Sequence, residues 1–360
     1  MTARIAAELG DLGREWNRLA QASSTPFLTT EWLYSWWSAF GRGKPAWMLL
    51  CTDDGSLRAG ALLQNARGGT LASAANVHTG DWDAVCRDEN ARVELWDSLA
   101  RLRPGRIRLE AMPEHTGGAD SAAAALETAG YRLVRVPGPA SPFLALPADW
   151  DDLLAGVSKG LRSQLGRKRR ALEREGTLTF RSESAGRAAN EDLEALLALE
   201  AAGWKGRAGT AILSDSRTER LYRDFAAAAA RQGWFRLHSL ELDGKLIAAD
   251  YACAFAGGGF LIKTTFDEAL SRFSPGLVLR GEVLRACIEE GLRFYDFLGG
   301  PDEYKRRWAP DLRPRVAIWA YRGAALPGYV YRARLRPIVR VAAGPILRRT
   351  LPRAKRSSAT

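Results

Sequence analysis

Residues 234–266 read WFRLHSLELDGKLIAADYACAFAGGGFLIKTTF, and this stretch decides the fold of the 360-residue chain. It predicts three β-strands joined by two tight turns, one at Asp243-Gly244 and one at Gly258-Gly259. Asp-Gly and Gly-Gly pairs favour the positive backbone angles that short hairpin turns require. We therefore expect an antiparallel, three-stranded meander here.

The same plan occurs earlier in the chain, in residues 46–71, AWMLLCTDDGSLRAGALLQNARGGTL. The Asp-Gly turns of the two stretches are 189 positions apart, and their Gly-Gly turns are 190 positions apart. Each meander precedes a helical segment, at 91–105 or 275–291, that leads directly into a short strand. The recurrence predicts two copies of one α+β unit, with the chance recurrence of common hairpins as the alternative.

We expect two tandem α+β domains, residues 1–145 and 150–325, each a mixed but mostly antiparallel sheet flanked by helices. A basic tail, helical or disordered, is expected at 326–360. From Tyr331 onwards it carries nine Lys and Arg and no acid, against a formal net charge of +11 for the chain. Such tails are usually solvated, with contact to nucleic acid or to an anionic membrane face as the alternative.

The composition is that of a globular protein, with 46% hydrophobic and 26% charged residues. The four cysteines and three histidines lack the spacing of metal ligands, so neither a metal centre nor a disulfide framework is expected. The N-terminal residues do not resemble a signal peptide, and no apolar run reaches membrane-spanning length. These features predict a cytosolic (cytoplasmic) protein.

The two copies differ at the entry to the helix that follows the meander. In the second copy Ser274, Pro275 and Gly276 precede the helix, and the first copy lacks this turn. A serine there can cap the helix, and a proline at the first position needs no N–H partner. An open turn before a helix N-terminus can also bind an anion through free N–H groups. The second copy is therefore the expected ligand binder, with an ordinary capped core helix as the alternative.

Between the copies, residues 157–176, VSKGLRSQLGRKRRALEREG, predict a helix with a leucine stripe on an otherwise basic surface. A run of charge of this kind is usually a solvated connection between domains. The alternative is an electropositive rim for an anionic substrate.

Several stretches together resemble one family of acyltransferases. They are SKGLRSQLGRKRRALEREG (158–176), LEAAGWKGRAGTAI (199–212), FDEALSRFSPGLVL (266–279) and YDFLGGPDEYKRRWAP (295–310), and PFLTTEWLYSWWSAFG (26–41) also fits. In this order they resemble the acetyltransferases associated with bacterial cellulose biosynthesis, within the GCN5-related N-acetyltransferase (GNAT) superfamily. The duplication is similar to that of the Fem-like branch, so the resemblance implies two tandem GNAT-like domains.

The resemblance implies transfer of an acetyl group from acetyl-coenzyme A to an amine or hydroxyl of a small molecule or glycan precursor, without a metal. The superfamily's usual pyrophosphate loop is replaced here by RFSPG (272–276), so another activated acyl carrier is an alternative donor. Two further alternatives are a Fem-like transferase that uses aminoacyl-tRNA and a non-catalytic scaffold of a polysaccharide-synthesis complex.

The candidate site residues fall into three groups. A carboxylate inside an apolar strand faces either a ligand cleft or a partner charge. For the acidic candidates, the alternative to a role in the site is therefore a structural ion pair. For Tyr304 the alternative is packing on Trp308, and for Trp204 it is the end of a helix. The predicted donor site comprises Arg272, Phe273, Ser274, Pro275, Gly276 and Arg280. The predicted catalytic groups are Asp250, Lys263, Asp296 and Tyr304. The predicted acceptor wall comprises Glu200, Trp204, Lys205, Asp267 and Lys305.

Overall fold

The structure is a computed structural model that describes residues 2–184 and 186–335. Its strands are β1 Thr2–Ala6, β2 Ala46–Cys51, β3 Leu57–Ala66, β4 Thr70–Ser73, β5 Val85–Cys86, β6 Arg106–Pro113, β7 Arg132–Pro137, β8 Ser141–Ala145, β9 Leu178–Glu183, β10 Phe235–Leu242, β11 Lys245–Phe255, β12 Gly258–Phe266, β13 Phe294–Asp296, β14 Asp311–Arg313 and β15 Arg315–Tyr321. Its helices are α1 Gly13–Ala22, α2 Thr30–Phe40, α3 Glu89–Arg101, α4 Gly118–Thr128, α5 Trp150–Gly156, α6 Lys159–Glu175, α7 Gly186–Ala202, α8 Trp204–Arg207, α9 Ser216–Arg231, α10 Pro275–Glu289, α11 Glu303–Arg306 and α12 Leu326–Val330.

The strands form two mixed sheets, and the predicted α+β class is confirmed. The first sheet has the order β1-β2-β3-β4-β6-β15-β7, with β5 paired to β3, and the second has the order β14-β8-β13-β12-β11-β10-β9. Each sheet contains the predicted meander, β2-β3-β4 or β10-β11-β12. In each, the strand after the helix lies parallel to the last meander strand, β6 beside β4 and β13 beside β12. The internal repeat is thus a repeat of topology.

The two sheets exchange one strand reciprocally. β8 follows β7 in the chain but pairs between β13 and β14 of the second sheet. β15 follows β14 but pairs between β6 and β7 of the first sheet. Two strands therefore lie on the opposite side of the boundary expected near residues 145–150. The sequence showed no sign of this exchange because it depends on pairing between distant segments.

Aromatic packing joins the two halves. Trp32 of α2 meets Phe225 of α9 edge-on, with ring centroids 4.9 Å apart. Phe27 meets Phe260 of β12 at 6.4 Å. All four side chains are fully or almost fully buried and belong to one continuous apolar cluster. Burial of these aromatic side chains stabilises the contact between the halves.

The predicted basic tail lies mainly outside the described residues. What is described of it is α12 and one further helical turn, Tyr331–Leu335. Among the helices in the described ranges, none is both long and apolar enough to cross a membrane.

Candidate functional site

The second sheet opens between β12 and β13. Their parallel pairing runs only from Gly258 opposite Phe294 to Phe260 opposite Asp296. Beyond this point β12 continues to Phe266, while the chain after β13 leaves the sheet. A register shift against β11 leaves Ile262 without an opposite residue at the start of the opening. Such bulges bend a strand and redirect its side chains, which accounts for the cleft here.

A cavity of about 720 Å³ fills this cleft. Its walls come from the free part of β12, the residues after β13, the start of α10 and the α7–α8 junction. The lining residues are Gln164, Glu200, Gly203, Trp204, Lys205, Leu261, Ile262, Lys263, Thr264, Thr265, Phe266, Glu268, Ser271, Ser274, Gly276, Leu277, Arg280, Phe297, Leu298, Gly299, Asp302, Tyr304, Lys305, Arg307 and Trp308. The volume is that of an ordinary small-molecule or cofactor site.

The corresponding opening in the first sheet is filled. β4 and β6 pair only from Thr70 to Ala72, and the loop after β4 then crosses the gap. The backbone N–H of Trp82 in that loop donates to the carbonyl of Ala111 at 2.8 Å, and its indole N–H donates to Leu62 at 3.2 Å. The Trp82 side chain is fully buried. The first copy thus has core where the second copy has a cavity.

The entry to α10 differs in one respect from the sequence expectation. Ser274 has φ 54° and ψ 56°, in the left-handed region, and its side chain makes no capping hydrogen bond. The prediction that Ser274 caps the helix is wrong, because the left-handed backbone turns its hydroxyl away from the first turn. Its carbonyl instead accepts the N–H groups of Leu277 and Val278. Gly276, which lines the cavity, has an N–H without a partner among the described residues.

This geometry predicts the effect of replacing Ser274. A side chain in the left-handed region is strained and glycine is not, so we expect Ser274→Gly to raise the unfolding free energy by about 0.5–1 kcal/mol. Ser274→Ala should leave it nearly unchanged, since no cap is lost. Denaturant titration of both variants measures this. A loss of about 1 kcal/mol in Ser274→Ala would restore the capping role.

Arg280 and Asp250 form a buried ion pair beside the cavity. Their side chains are 3% and 0% exposed, and Nη2 of Arg280 lies 2.8 Å from Oδ2 of Asp250. Nη1 of Arg280 donates to the hydroxyl of Tyr295 at 2.7 Å. Burial raises the pKa of the Asp250 carboxyl, and the adjacent guanidinium opposes that shift. Arg280 lines the cavity, whereas Asp250 lies behind it and holds Arg280 in place.

A second ion pair forms the opposite wall. Glu200 is buried, accepts from Nζ of Lys205 at 2.8 Å and accepts from the backbone of Ile212 at 2.8 Å. Lys205 also donates to the carbonyl of Thr264 on β12, at 2.7 Å. Trp204 is 54% exposed at the rim, and its backbone N–H donates to Glu268 at 2.5 Å. Glu200, Trp204 and Lys205 therefore line the cavity as predicted. Glu200 lies on α7, and the other two lie on the short helix α8 rather than in the predicted loop.

Three ionisable groups complete the cavity wall. Lys263 faces it from β12, and burial lowers the pKa of its ammonium group. Tyr304 is 43% exposed at the mouth, and burial of the rest of its side chain raises its pKa. Lys305 is buried, donates to the carbonyl of Leu298 at 3.0 Å and pairs with Asp302 at 3.0 Å.

Several predicted site residues do not line the cavity. Asp296 is fully buried and accepts hydrogen bonds from Ser141 and from the N–H of Leu298. These contacts stand where a contact with a ligand was predicted. Asp267 caps the turn after β12 and pairs with Lys245 at 3.3 Å. The others are Asp250, which lies behind the cavity, Arg272, whose side chain is 73% exposed, and Phe273 and Pro275, which are buried.

Other residues line the cavity that the sequence did not predict as site residues. Glu268 holds Trp204 and Arg207, and Gln164 of α6 accepts from Arg307. That Gln164 lies near the cavity could have been inferred, because it belongs to the basic helix that was predicted to flank the site. Nothing local in the sequence relates Glu268 to the α7–α8 junction. Within the described part of the chain, no group of three or more His, Cys, Asp or Glu side chains is arranged to hold a metal ion.

Comparisons with known proteins agree with this architecture. FemX has a similar structure, with a TM-score of 0.62 and 12% identity over 93% of this chain and 100% of that one. The C-terminal domain of a putative lysylphosphatidylglycerol synthetase from Agrobacterium fabrum has a TM-score of 0.56 and 13% identity, over 90% and 97% of the two chains. L-PGS from Bacillus licheniformis has a TM-score of 0.51 and 13% identity, over 83% and 94%.

At these identities the likeness concerns the fold alone. No curated protein sequence matches the chain. Residues 159–306, which supply most of the cavity, match the acetyltransferase (GNAT) domain family. This part of the chain is therefore similar to a GNAT acetyltransferase domain, within a fold that repeats one α+β topology twice.

Proposed function

We propose that the cavity binds an acyl-coenzyme A thioester, with acetyl-coenzyme A as the first candidate, and transfers its acyl group to an amine or hydroxyl. The observation that carries this proposal is the opening between β12 and β13, which ends at the N-terminus of α10. A linear chain with amide groups fits between two separated strands, and an anionic end group fits a helix N-terminus.

Donor binding is assigned to the start of α10. The free N–H of Gly276 faces the cavity, and α10 has 15 residues whose aligned dipoles favour negative charge at this end. Pro275 leaves no competing N–H at the first helical position. The Cβ of a side chain at Gly276 would lie 3.6 Å from Phe266, so glycine leaves the space there for the donor rather than for a neighbouring side chain.

The transfer step needs charge stabilisation and a proton donor. The acceptor nitrogen or oxygen attacks the thioester carbonyl carbon, and the new C–N or C–O bond forms. The C–S bond then breaks with its electron pair on sulfur, and the acceptor's proton passes to solvent. In this scheme Lys263, which lines the cavity, stabilises the negative charge that develops on the carbonyl oxygen. Tyr304 stays protonated at neutral pH and can donate to the departing sulfur. Asp250 and Asp296 have positioning roles in this scheme.

A second donor is favoured by one observation. The basic helix α6 supplies Gln164 to the cavity, and its Lys159, Arg162, Ser163, Gly166 and Arg170 line a neighbouring groove of about 420 Å³. A basic groove beside the donor site would suit the phosphates of an aminoacyl-tRNA. Binding of charged tRNA that weakens steeply with salt, without binding of acetyl-coenzyme A, would support this candidate. Folding of the chain without binding of either donor would favour a scaffold role.

Replacement of Gly276 tests the donor site. Gly276→Val adds a branched side chain at the free N–H, so we expect acetyl-coenzyme A to bind at least about tenfold more weakly. The melting temperature should change little, because the added Cβ makes only an ordinary contact. Gly13→Val is the matched control, since Gly13 also begins a helix and has open space around it. Calorimetric titration of both variants gives the affinities, and equal affinity in a folded Gly276→Val protein would exclude this donor site.

The remaining predictions concern the acceptor and the cellular setting. The acceptor is a small molecule or glycan precursor in this proposal, and Glu200, Lys205 and Trp204 form the wall beside it. The link to cellulose or exopolysaccharide production, the cytoplasmic location and membrane contact through the tail stay predictions.

A further inference from the structure

A loop of the N-terminal domain reaches helix α9 of the C-terminal domain, behind the cavity wall. This loop is residues 74–84, the same segment that fills the opening of the first sheet. His78 in it is half-buried and stacks on Phe40, with ring centroids 5.4 Å apart. Its Nδ1 lies 3.0 Å from the hydroxyl of Tyr222 on α9, and its Nε2 lies 3.3 Å from the hydroxyl of Thr218.

The hydrogen-bond partners determine which nitrogen of His78 carries the proton. The Thr218 hydroxyl donates its hydrogen to Oδ2 of Asp215 at 2.8 Å, so towards His78 it can only accept. Nε2 of His78 is therefore the protonated nitrogen, and Nδ1 accepts from the Tyr222 hydroxyl. Burial, and then the nearby charge of Lys263, lowers the pKa of His78 to about 4. The imidazole is thus neutral at physiological pH.

The ring of Tyr222 also supports the lysine of the cavity. Nζ of Lys263 lies 5.0 Å from its centroid, over the ring face. Within residues 2–184 and 186–335, no carboxylate lies within ion-pair distance of this ammonium group. A phenol that donates its hydrogen to imidazole gains electron density in its ring, which strengthens its attraction for a cation.

We infer that His78 is a positioning residue for Lys263, acting across the domain boundary through the hydroxyl and ring of Tyr222. One consequence rests on the proposed function: the N-terminal domain then determines the position of Lys263 relative to the reacting thioester. Glu200 and Lys205 on the cavity wall also act on the charge of Lys263. Neither of them touches His78, so the two influences are separable by mutation.

Titration of the lysines tests the inference without a substrate. The chain has eight lysines, so reductive ¹³C-dimethylation should give a small set of NMR signals, with Lys263→Arg to assign the one of interest. His78 and Tyr222 keep one protonation state across the titration of an amine, because burial lowers the pKa of the first and raises that of the second. We expect the Lys263 midpoint to fall by about half a pH unit in both His78→Leu and Tyr222→Phe.

The double variant distinguishes a chain of contacts from two separate effects. If His78 acts through Tyr222, His78→Leu combined with Tyr222→Phe should shift the midpoint no further than Tyr222→Phe alone. His115→Leu, in the other histidine of the N-terminal domain, should leave the midpoint unchanged. Additive shifts, or an unshifted midpoint in Tyr222→Phe, overturn the inference. Tyr222→Phe keeps the packing, so this outcome is available even if His78→Leu does not fold.

The functional consequence is measured separately. In an acyl-transfer assay with acetyl-coenzyme A, His78→Leu should lower kcat while KM for the donor stays the same, because the donor is held by α10. A shifted Lys263 midpoint without any acyl transfer would keep the positioning role and reject the proposed function.

Discussion

A chain that ends at residue 314 should lose the folded structure of its N-terminal domain, although residues 2–137 are all present. The truncation removes β15, which pairs on one side with β6 and on the other with β7. It also removes Arg315, whose Nε lies 2.6 Å from Oδ1 of the buried Asp81. Ile318 of β15 is fully buried in the N-terminal core. Without this strand, two neighbouring strands lose their backbone partners and an apolar face is opened to water.

The control is a chain that ends at residue 325, which keeps β15 and omits only the segment after it. Hydrogen exchange measured by mass spectrometry should show protection of β6 and β7 in the longer chain and exchange within seconds in the shorter one. Sustained protection of these strands in the chain that ends at 314 would mean that β15 is dispensable. The domain boundary expected near residues 145–150 would then describe the folding units better than the strand order of the two sheets does.

Replacing Arg280 should have the second large effect. In Arg280→Met the carboxylate of Asp250 stays fully buried without its partner, so we expect the unfolding free energy to fall by about 3–5 kcal/mol. Tyr295 also loses the group that donates to its hydroxyl. Urea unfolding at neutral pH measures the loss. A decrease below about 1 kcal/mol would show that water or another group replaces the guanidinium.

The pH dependence of the Arg280→Met variant identifies the cause. Burial already raises the pKa of Asp250, and loss of the guanidinium removes the opposing effect. In the variant the folded state then binds a proton that the unfolded chain releases above its ordinary pKa of about 4. Stability should therefore fall as the pH rises from about 4 towards 7, opposite to the usual carboxylate in an ion pair. Asp250→Asn in the Arg280→Met background should remove this slope and recover part of the loss.

Much of the fold could be predicted because its signals are local. The meanders follow from short glycine turns between apolar runs, and their recurrence with a following helix revealed the two copies. The second glycine turn lies at Ala256-Gly257 rather than at Gly258-Gly259, which begin β12. The exchange of β8 and β15 could not be predicted in this way. Both are short, ordinary strands, and only their pairing with distant segments places them in the opposite sheet.

The part of the site that lies in one continuous segment, from β12 to α10, could be predicted from the sequence. Lys263, Gly276 and Arg280 lie on elements that the sequence placed beside the helix entry, and the structure brings them to one cavity. Asp296 was wrongly predicted to face a ligand, because the sequence of an apolar strand does not show whether its carboxylate contacts a ligand or a buried hydroxyl. Here it meets Ser141, which belongs to the exchanged strand β8. His78 and Tyr222 are 144 positions apart, so no local pattern could relate them.

The filled opening of the first sheet has a consequence for the whole protein. Because Trp82 fills the opening that corresponds to the cavity, we expect the duplicated chain to saturate with one equivalent of donor rather than two. The loop that carries Trp82 binds no ligand of its own, and its His78 contacts Tyr222, whose ring lies under Lys263 of the cavity in the second copy. The two halves thus share one topology, and we expect only the second to bind the donor while the first supports the wall of its cavity.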